Sequence, residues 1–274
     1  MQTIQRTIKN EVSLAGIGLH SGEHSTVTFK PAKENEGIRF QRVDMPEKPI
    51  IPALIDYVID ISRGTTLGVN DAKIMTVEHL LAAVTGLEID NVLIEVDNVE
   101  VPVLDGSAEP YVQALMKAGI QEQKAERNFF EFTQPISFSV PEKNVDVVLV
   151  PSNDLKVTFL IDFPHPVIGT QYTFLESLES EFVKEFSRAR TFCFLQEIEY
   201  LREHNLIKGG QLDNAVVLGD PNTPKKEMDY LRQLFDLPDD SNVYMSEKGI
   251  LNGVELRYYN EMVRHKVVDL IGDL

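Results

Sequence analysis

The sequence has a single cysteine, Cys193, among 274 residues. That excludes an internal disulfide and fits a reducing compartment. No run of about 18 apolar residues occurs, so no membrane span is expected. The opening stretch, MQTIQRTIKN, lacks the apolar core of a secretory signal, so the protein is expected to stay in the cytoplasm. Positive charge is also scarce: 26 Lys and Arg stand against 43 Asp and Glu, a net charge of −17. Binding phosphate backbones needs a basic surface, so no nucleic-acid partner is expected. A small anionic ligand held by a few local cations remains compatible. Short-period repeats and low-complexity tracts are absent.

Hydrophobic residues make up 43% of the chain, enough for real cores. Strand and helix signals alternate. SLAGIGLHSGEHSTVTFKPA reads as two strands around a Gly-rich turn, and GIRFQRVD as a third. TVEHLLAAVTGL reads as a helix with Thr76 at its cap and Gly86 near its end. NVLIEVDN is a strand, and VPVLDGS leads into the helix AEPYVQALMKAG. The polar stretch from Ile120 to Asn128 is read as a boundary between domains 1–126 and 127–274. Beyond it, FFEFTQPISFSV, VDVVLVPS and LKVTFLIDF read as strands, and TFLESLESEFVKEFSRA contains a helix. FCFLQEIEYLREHN starts extended and turns helical, LDNAVVLGD is a strand, and NEMVRHKVVDLIGDL is the last helix. Two α+β domains, each a layer of helices on a sheet, are the expected architecture. The segment from about Asp220 to Gly253 is too long for a plain connection and reads as an insertion carrying one short helix.

Two constellations carry chemistry. In TVEH, Glu78 and His79 are neighbours on a helix and point about 100° apart. One can bind a metal while the other reaches the water on it, Glu acting as general base. In HKVVD, His265 and Asp269 are at i, i+4 and share a helix face, as does Asp273 one turn on. His79, His265 and Asp269 together offer two nitrogens and one oxygen and leave a fourth tetrahedral position open, the pattern of a catalytic zinc site. Non-haem iron takes the same donors, so an iron oxygenase is the chemical alternative. His20 and His24 have the same spacing but sit around Ser21 and Gly22 in a turn, where i, i+4 loses its helical meaning. His165 and His204 read as structural or surface residues.

STVTFKPA, TVEHLLAAVTGLEIDNVLIEVDN, VPVLDGSAEPYV, SRARTF and VRHKVVDLIGDL closely resemble the UDP-3-O-acyl-N-acetylglucosamine deacetylases of bacterial lipid A synthesis, over nearly the whole chain. The resemblance implies a zinc hydrolase removing acetate from a UDP-linked, 3-O-acylated glucosamine, with its active site between two similar domains. It implies His79, His265 and Asp269 as zinc ligands and Glu78 as general base. Thr191 would help hold the developing oxyanion, and Lys266 would meet negative charge on substrate or transition state. The stretch from Phe192 to Val217 matches a hydrophobic passage for the acyl chain, with Phe192, Phe194, Leu195, Gly209 and Gly210 as candidates. The IDFPHP loop would lie toward the nucleotide.

Departures accompany the resemblance. The family continues past GDL to a GH motif whose His protonates the leaving amine and is oriented by an Asp. Asp273 matches the orienting Asp, and the His has no counterpart in this sequence. A chain so cut would be a zinc- and nucleotide-sugar-binding unit with impaired turnover, the alternative to an active deacetylase. Some members are fused to a hydroxyacyl-carrier-protein dehydratase domain, and an abrupt end is consistent with a fused parent.

Overall fold

The computed structural model describes residues 3–165, 168–235, 237–238 and 240–274. Pro166, at the edge of the His165 loop, and Asp236 and Asp239, in the expected insertion, lie outside the described residues. The first half runs β1 (Ile4–Ile8), β2 (Val12–Ile17), β3 (His24–Pro31), β4 (Ile38–Arg42), β5 (Ile50–Pro52), β6 (Val58–Asp60), β7 (Thr66–Val69), β8 (Ala72–Ile74), α1 (Glu78–Gly86), β9 (Val92–Val96), α2 (Glu109–Ala118) and β10 (Ile120–Glu126). The second half runs β11 (Ile136–Val140), β12 (Val145–Leu149), β13 (Val157–Phe163), β14 (Gly169–Leu175), α3 (Leu178–Glu181), a π turn over Phe182–Phe186, β15 (Phe192–Phe194), α4 (Leu195–Glu203), β16 (Val216–Leu218), α5 (Lys225–Leu234) and α6 (Glu261–Asp273). The chain is of mixed α+β character. No helix among the described residues is long and apolar enough to cross a membrane.

The largest sheet has five strands in the order β2-β3-β9-β4-β5, with β4 and β9 parallel and the other pairs antiparallel. Period-2 alternation builds its inner face: Val27 and Phe29 from β3 and Val92, Ile94 and Val96 from β9 are fully buried. Helix α1 is apolar nearly all round, and all its residues but Thr85 are buried, as suits a helix packed on every side. Helix α2 ends at Gly119, whose φ of 79° a side chain would resist. In the second half the described strands pair two by two, β11 with β12, β13 with β14, and β15 with β16 in parallel.

One hydrophobic core spans both halves. It joins Leu80, Val84 and Ile94 to Val157, Phe182, Val267 and Ile271. Two glycines let α1 lie this close to its neighbours. A Cβ on Gly86 would overlap the Phe182 ring, and one on Gly272 would overlap the Glu78 carbonyl. Helices α1 and α6 therefore meet backbone to backbone at the residue beside His79.

One expectation needs correction. Thr76 is not a side-chain cap of α1: Val77 occupies that position without a capping bond. Thr76 stands at φ 61° and donates its hydroxyl to buried Glu100 at 2.7 Å, so a tertiary acceptor has taken the group a cap would use. The polar stretch from Ile120 opens with a strand that the sequence pattern did not announce. It forms β10, antiparallel to β1, because ladder bonds are made by backbone and need only a partner strand.

Candidate metal centre and its surroundings

Helix α1 brings His79, and α6 brings His265 and Asp269, to one point. Their donor atoms all lie within 4.8 Å of one another. Asp269 Oδ1 is 3.2 Å from His265 Nε2 and 3.4 Å from His79 Nε2. The imidazole rings stand nearly perpendicular at 4.8 Å. Both histidines are buried. His265 Nδ1 donates to the Ala189 carbonyl at 3.0 Å, which turns the Nε2 lone pair toward the cluster, the second-sphere arrangement that metal-binding histidines favour.

Asp269 Oδ1 is buried without a hydrogen-bond partner among the described residues, despite the two imidazole nitrogens beside it. Such an atom costs free energy unless something satisfies it. Two imidazole nitrogens and an unsatisfied carboxylate oxygen that converge without bonding one another fit a divalent cation. Asp269 Oδ2 instead accepts from Lys266 Nζ at 3.0 Å, and the Asp269 charge raises the Lys266 pKa. Despite burial, the neighbouring His265 and Lys266 hold the Asp269 carboxyl well below the usual range. Burial pushes the His265 imidazole down to about 4, so it is neutral at pH 7, the form able to bind a metal.

Glu78 is 7% exposed and adjoins the cluster. Burial pushes its carboxyl up to about 7, with His79 opposing and Asp269 adding to the shift. Its Oε2 accepts from the Thr65 N–H at 2.9 Å. An added Cβ on Gly64 would lie only 3.1 Å from Oε1, so that oxygen faces a position with no side chain. The Thr65 hydroxyl donates to Asp273 Oδ1 at 2.7 Å. Sequence reasoning passed over Gly64 and Thr65. They lie 14 and 13 positions before Glu78, on a loop whose course no local pattern announces. SRGT carried only the signal of a turn.

Thr191 is held by its backbone, its N–H donating to the Gly106 carbonyl and its own carbonyl accepting from Val216, both at 2.8 Å. Gly106 has φ 79°, and a Cβ there would overlap the Asn214 carbonyl. The DGS glycine thus lets the first half touch the backbone at Asn214 and the Thr191 side chain. Arg190 and Glu261 form a buried ion pair at 2.9 Å, and the Arg190 N–H bonds the same carboxylate, fixing the segment to the start of α6. Phe192 lies 5.5 Å under Lys266 Nζ and 6.4 Å from the His265 ring.

The expected passage residues divide. Phe192 and Gly210 line a largely apolar cavity of about 100 Å³ with His20, Arg63, Thr191 and Phe235. Leu195 faces a second cavity with Pro164 and His165. Phe194 packs on Phe163 and His165. Gly209 touches the first half, its N–H donating to Leu19 and its missing Cβ leaving room for the Gly18 carbonyl. His24 and His204 are exposed, and His20 is buried. Among the described residues, the only grouping of metal-ligating side chains is that of His79, His265 and Asp269.

A two-histidine, one-aspartate cluster with a buried glutamate beside it has the parts of a metal-assisted hydrolytic centre. Residues 5–232 and 238–274 match the family of UDP-3-O-acyl N-acetylglycosamine deacetylases, and the chain belongs to that family. It is 47% identical over 270 residues to the bifunctional enzyme LpxC/FabZ of Chlorobaculum tepidum, covering 98% of this chain and 58% of that protein. It is 43% identical over 272 residues to the UDP-3-O-acyl-N-acetylglucosamine deacetylase of Teredinibacter turnerae, covering 98% and 80%. The Idiomarina loihiensis deacetylase is 41% identical over 273 residues, with the same coverage. The chain thus spans less than two thirds of the bifunctional relatives it matches.

Proposed function

We propose that the chain is a zinc-dependent deacetylase that removes the N-acetyl group of UDP-3-O-acyl-N-acetylglucosamine in lipid A synthesis. The observation that carries this reading is the position of Glu78 beside three converging donors, one of them the unsatisfied Asp269 Oδ1. The family, and the activity for which the Teredinibacter and Idiomarina relatives are named, support the substrate.

His79, His265 and Asp269 would hold the zinc, which supplies a Lewis acid and an acidified water at neutral pH. Glu78 acts as general base: Oε2 is steadied by the Thr65 N–H, and Oε1, facing Gly64, takes the proton of the attacking water. The Thr191 hydroxyl has no hydrogen-bond partner among the described residues, so it can donate to the oxyanion that forms at the acetamide carbonyl. Lys266, ion-paired with Asp269, adds positive charge on the same side. The departing amine needs a proton, and Glu78 holds one after the attack. In this reading the 3-O-acyl chain enters the cavity lined by Phe192 and Gly210.

The two similar units, 1–126 and 127–274, the site between them and a cytoplasmic location belong to the same proposal. The packing of α1 from the first half on α6 from the second supports the placement of the site. The test is acetate release from the substrate, with and without added zinc. Zinc-dependent release is expected. Zinc and nucleotide-sugar binding without acetate release would establish the binding-only alternative, and oxygen-dependent turnover with bound iron would establish the oxygenase.

A further inference from the structure

His20, in the connection between β2 and β3, is 5% exposed, and its ring bonds in two directions. Nε2 donates to the Arg63 carbonyl at 3.2 Å. Nδ1 accepts from the Ile207 N–H at 3.4 Å. A carbonyl can only accept and an amide N–H can only donate, so the two contacts together select the Nε2–H tautomer. The residue itself is anchored from below: its N–H donates to both oxygens of Glu100, at 2.9 and 3.1 Å, and Glu100 is 1% exposed.

The two partners belong to segments far apart in sequence that both border the apolar cavity. Arg63 begins the loop that continues through Gly64 and Thr65, the residues that border Glu78. Arg63 stands at φ 64°, a left-handed conformation unfavourable for a residue with a side chain, so the loop needs outside support. Its guanidinium pairs with Glu197 of α4 at 2.8 Å, an exposed contact of small worth. Its carbonyl rests on His20. Ile207, at φ 48°, lines the apolar cavity with Thr191. A rigid aromatic ring thus spans the distance between the loop that steadies Glu78 and the cavity wall.

We propose that His20 is a positioning residue: in its Nε2–H form it sets the Arg63–Thr65 loop, and through it Glu78, against the wall of the apolar cavity. The proposal rests on the deacetylase reading and names a residue that acts through the loop without touching the reacting atoms. The two ring bonds can be separated by substitution. Glutamine can place an amide N–H₂ near the Nε2 position and keep the bond to Arg63. Asparagine can place an acceptor near the Nδ1 position and loses that bond.

The experiment compares His20→Gln and His20→Asn in the full-length, zinc-loaded protein, reading kcat and KM for acetate release, zinc content and amide hydrogen exchange at residues 63–65. In His20→Asn, kcat falls roughly ten- to hundredfold, as a displaced catalytic group would cause, while zinc content holds and exchange at 63–65 accelerates. In His20→Gln, exchange at 63–65 stays near wild type and kcat falls less than in His20→Asn. Equal losses of kcat in both variants, or unchanged exchange at 63–65 in His20→Asn, overturn the proposal. The exchange reading stands even if the wild-type protein releases no acetate, an outcome that counts against the deacetylase reading alone.

Discussion

Gly272 lies directly against the carbonyl of Glu78, so α6 crosses α1 with no side chain between them. The crossing sets the spacing of His79 to His265 and Asp269, because the two helices that carry them are in register only at that separation. Gly272→Ala would force the helices apart. Overpacking of a close contact costs roughly 1–3 kcal/mol, and here the displacement falls on the donors. A lower melting temperature and weaker metal binding are expected together, measured by thermal denaturation and chelator competition. Unchanged metal affinity in a destabilised variant would separate the crossing from the metal centre.

Glu78→Gln keeps the shape of the side chain and removes its basicity. Turnover should fall by roughly two orders of magnitude or more while zinc content, measured on purified protein, stays at wild-type level. Wild-type turnover in this variant would remove Glu78 from the role of base.

Chelation should destabilise the folded protein, because Asp269 Oδ1 then has no partner. Metal present at a hundred times its dissociation constant stabilises by about 2.7 kcal/mol through mass action. Differential scanning with and without chelator should show a lower melting temperature that returns on adding zinc. Asp269→Ala should melt at the same temperature in both conditions.

Arg190 and Glu261 are buried together at 8% and 1% side-chain exposure. Glu261→Ala strands the guanidinium and should cost about 3–5 kcal/mol. The Ala189 carbonyl that orients His265 sits next to Arg190, so the variant should also lose zinc faster to a chelator. Denaturant unfolding and a metal-release time course give the two readings. Loss of stability with normal metal release would make the pair purely structural.

The helices that carry the donors were legible because their signals are local. His265 and Asp269 share a face by the 3.6-residue period alone, and the apolar pattern of TVEHLLAAVTGL is continuous. The start of α1 was not legible: Glu100, 24 positions on, takes the Thr76 hydroxyl. Gly64, Thr65 and His20 were missed for a related reason. Each acts through a partner distant in sequence, Glu78, Asp273, Arg63 or Ile207, and only the path of the loops brings them together. His20 and His24 were correctly separated from the helical pattern, yet the same argument dismissed His20 as a turn residue although it is buried. The strand β10 was not legible because its exposed face is polar, and pairing with β1 leaves no hydrophobic trace.

The unsatisfied oxygen of Asp269 has a consequence beyond the chemistry. A protein whose folded state depends on a captured ion is unfolded more often when that ion is scarce, and unfolded chains are the ones that cellular proteases remove. The abundance of this protein should therefore follow the metal supply of the cell, with newly made chains cleared before they accumulate without metal. A carboxylate left unpaired in the interior would serve as quality control over which copies persist.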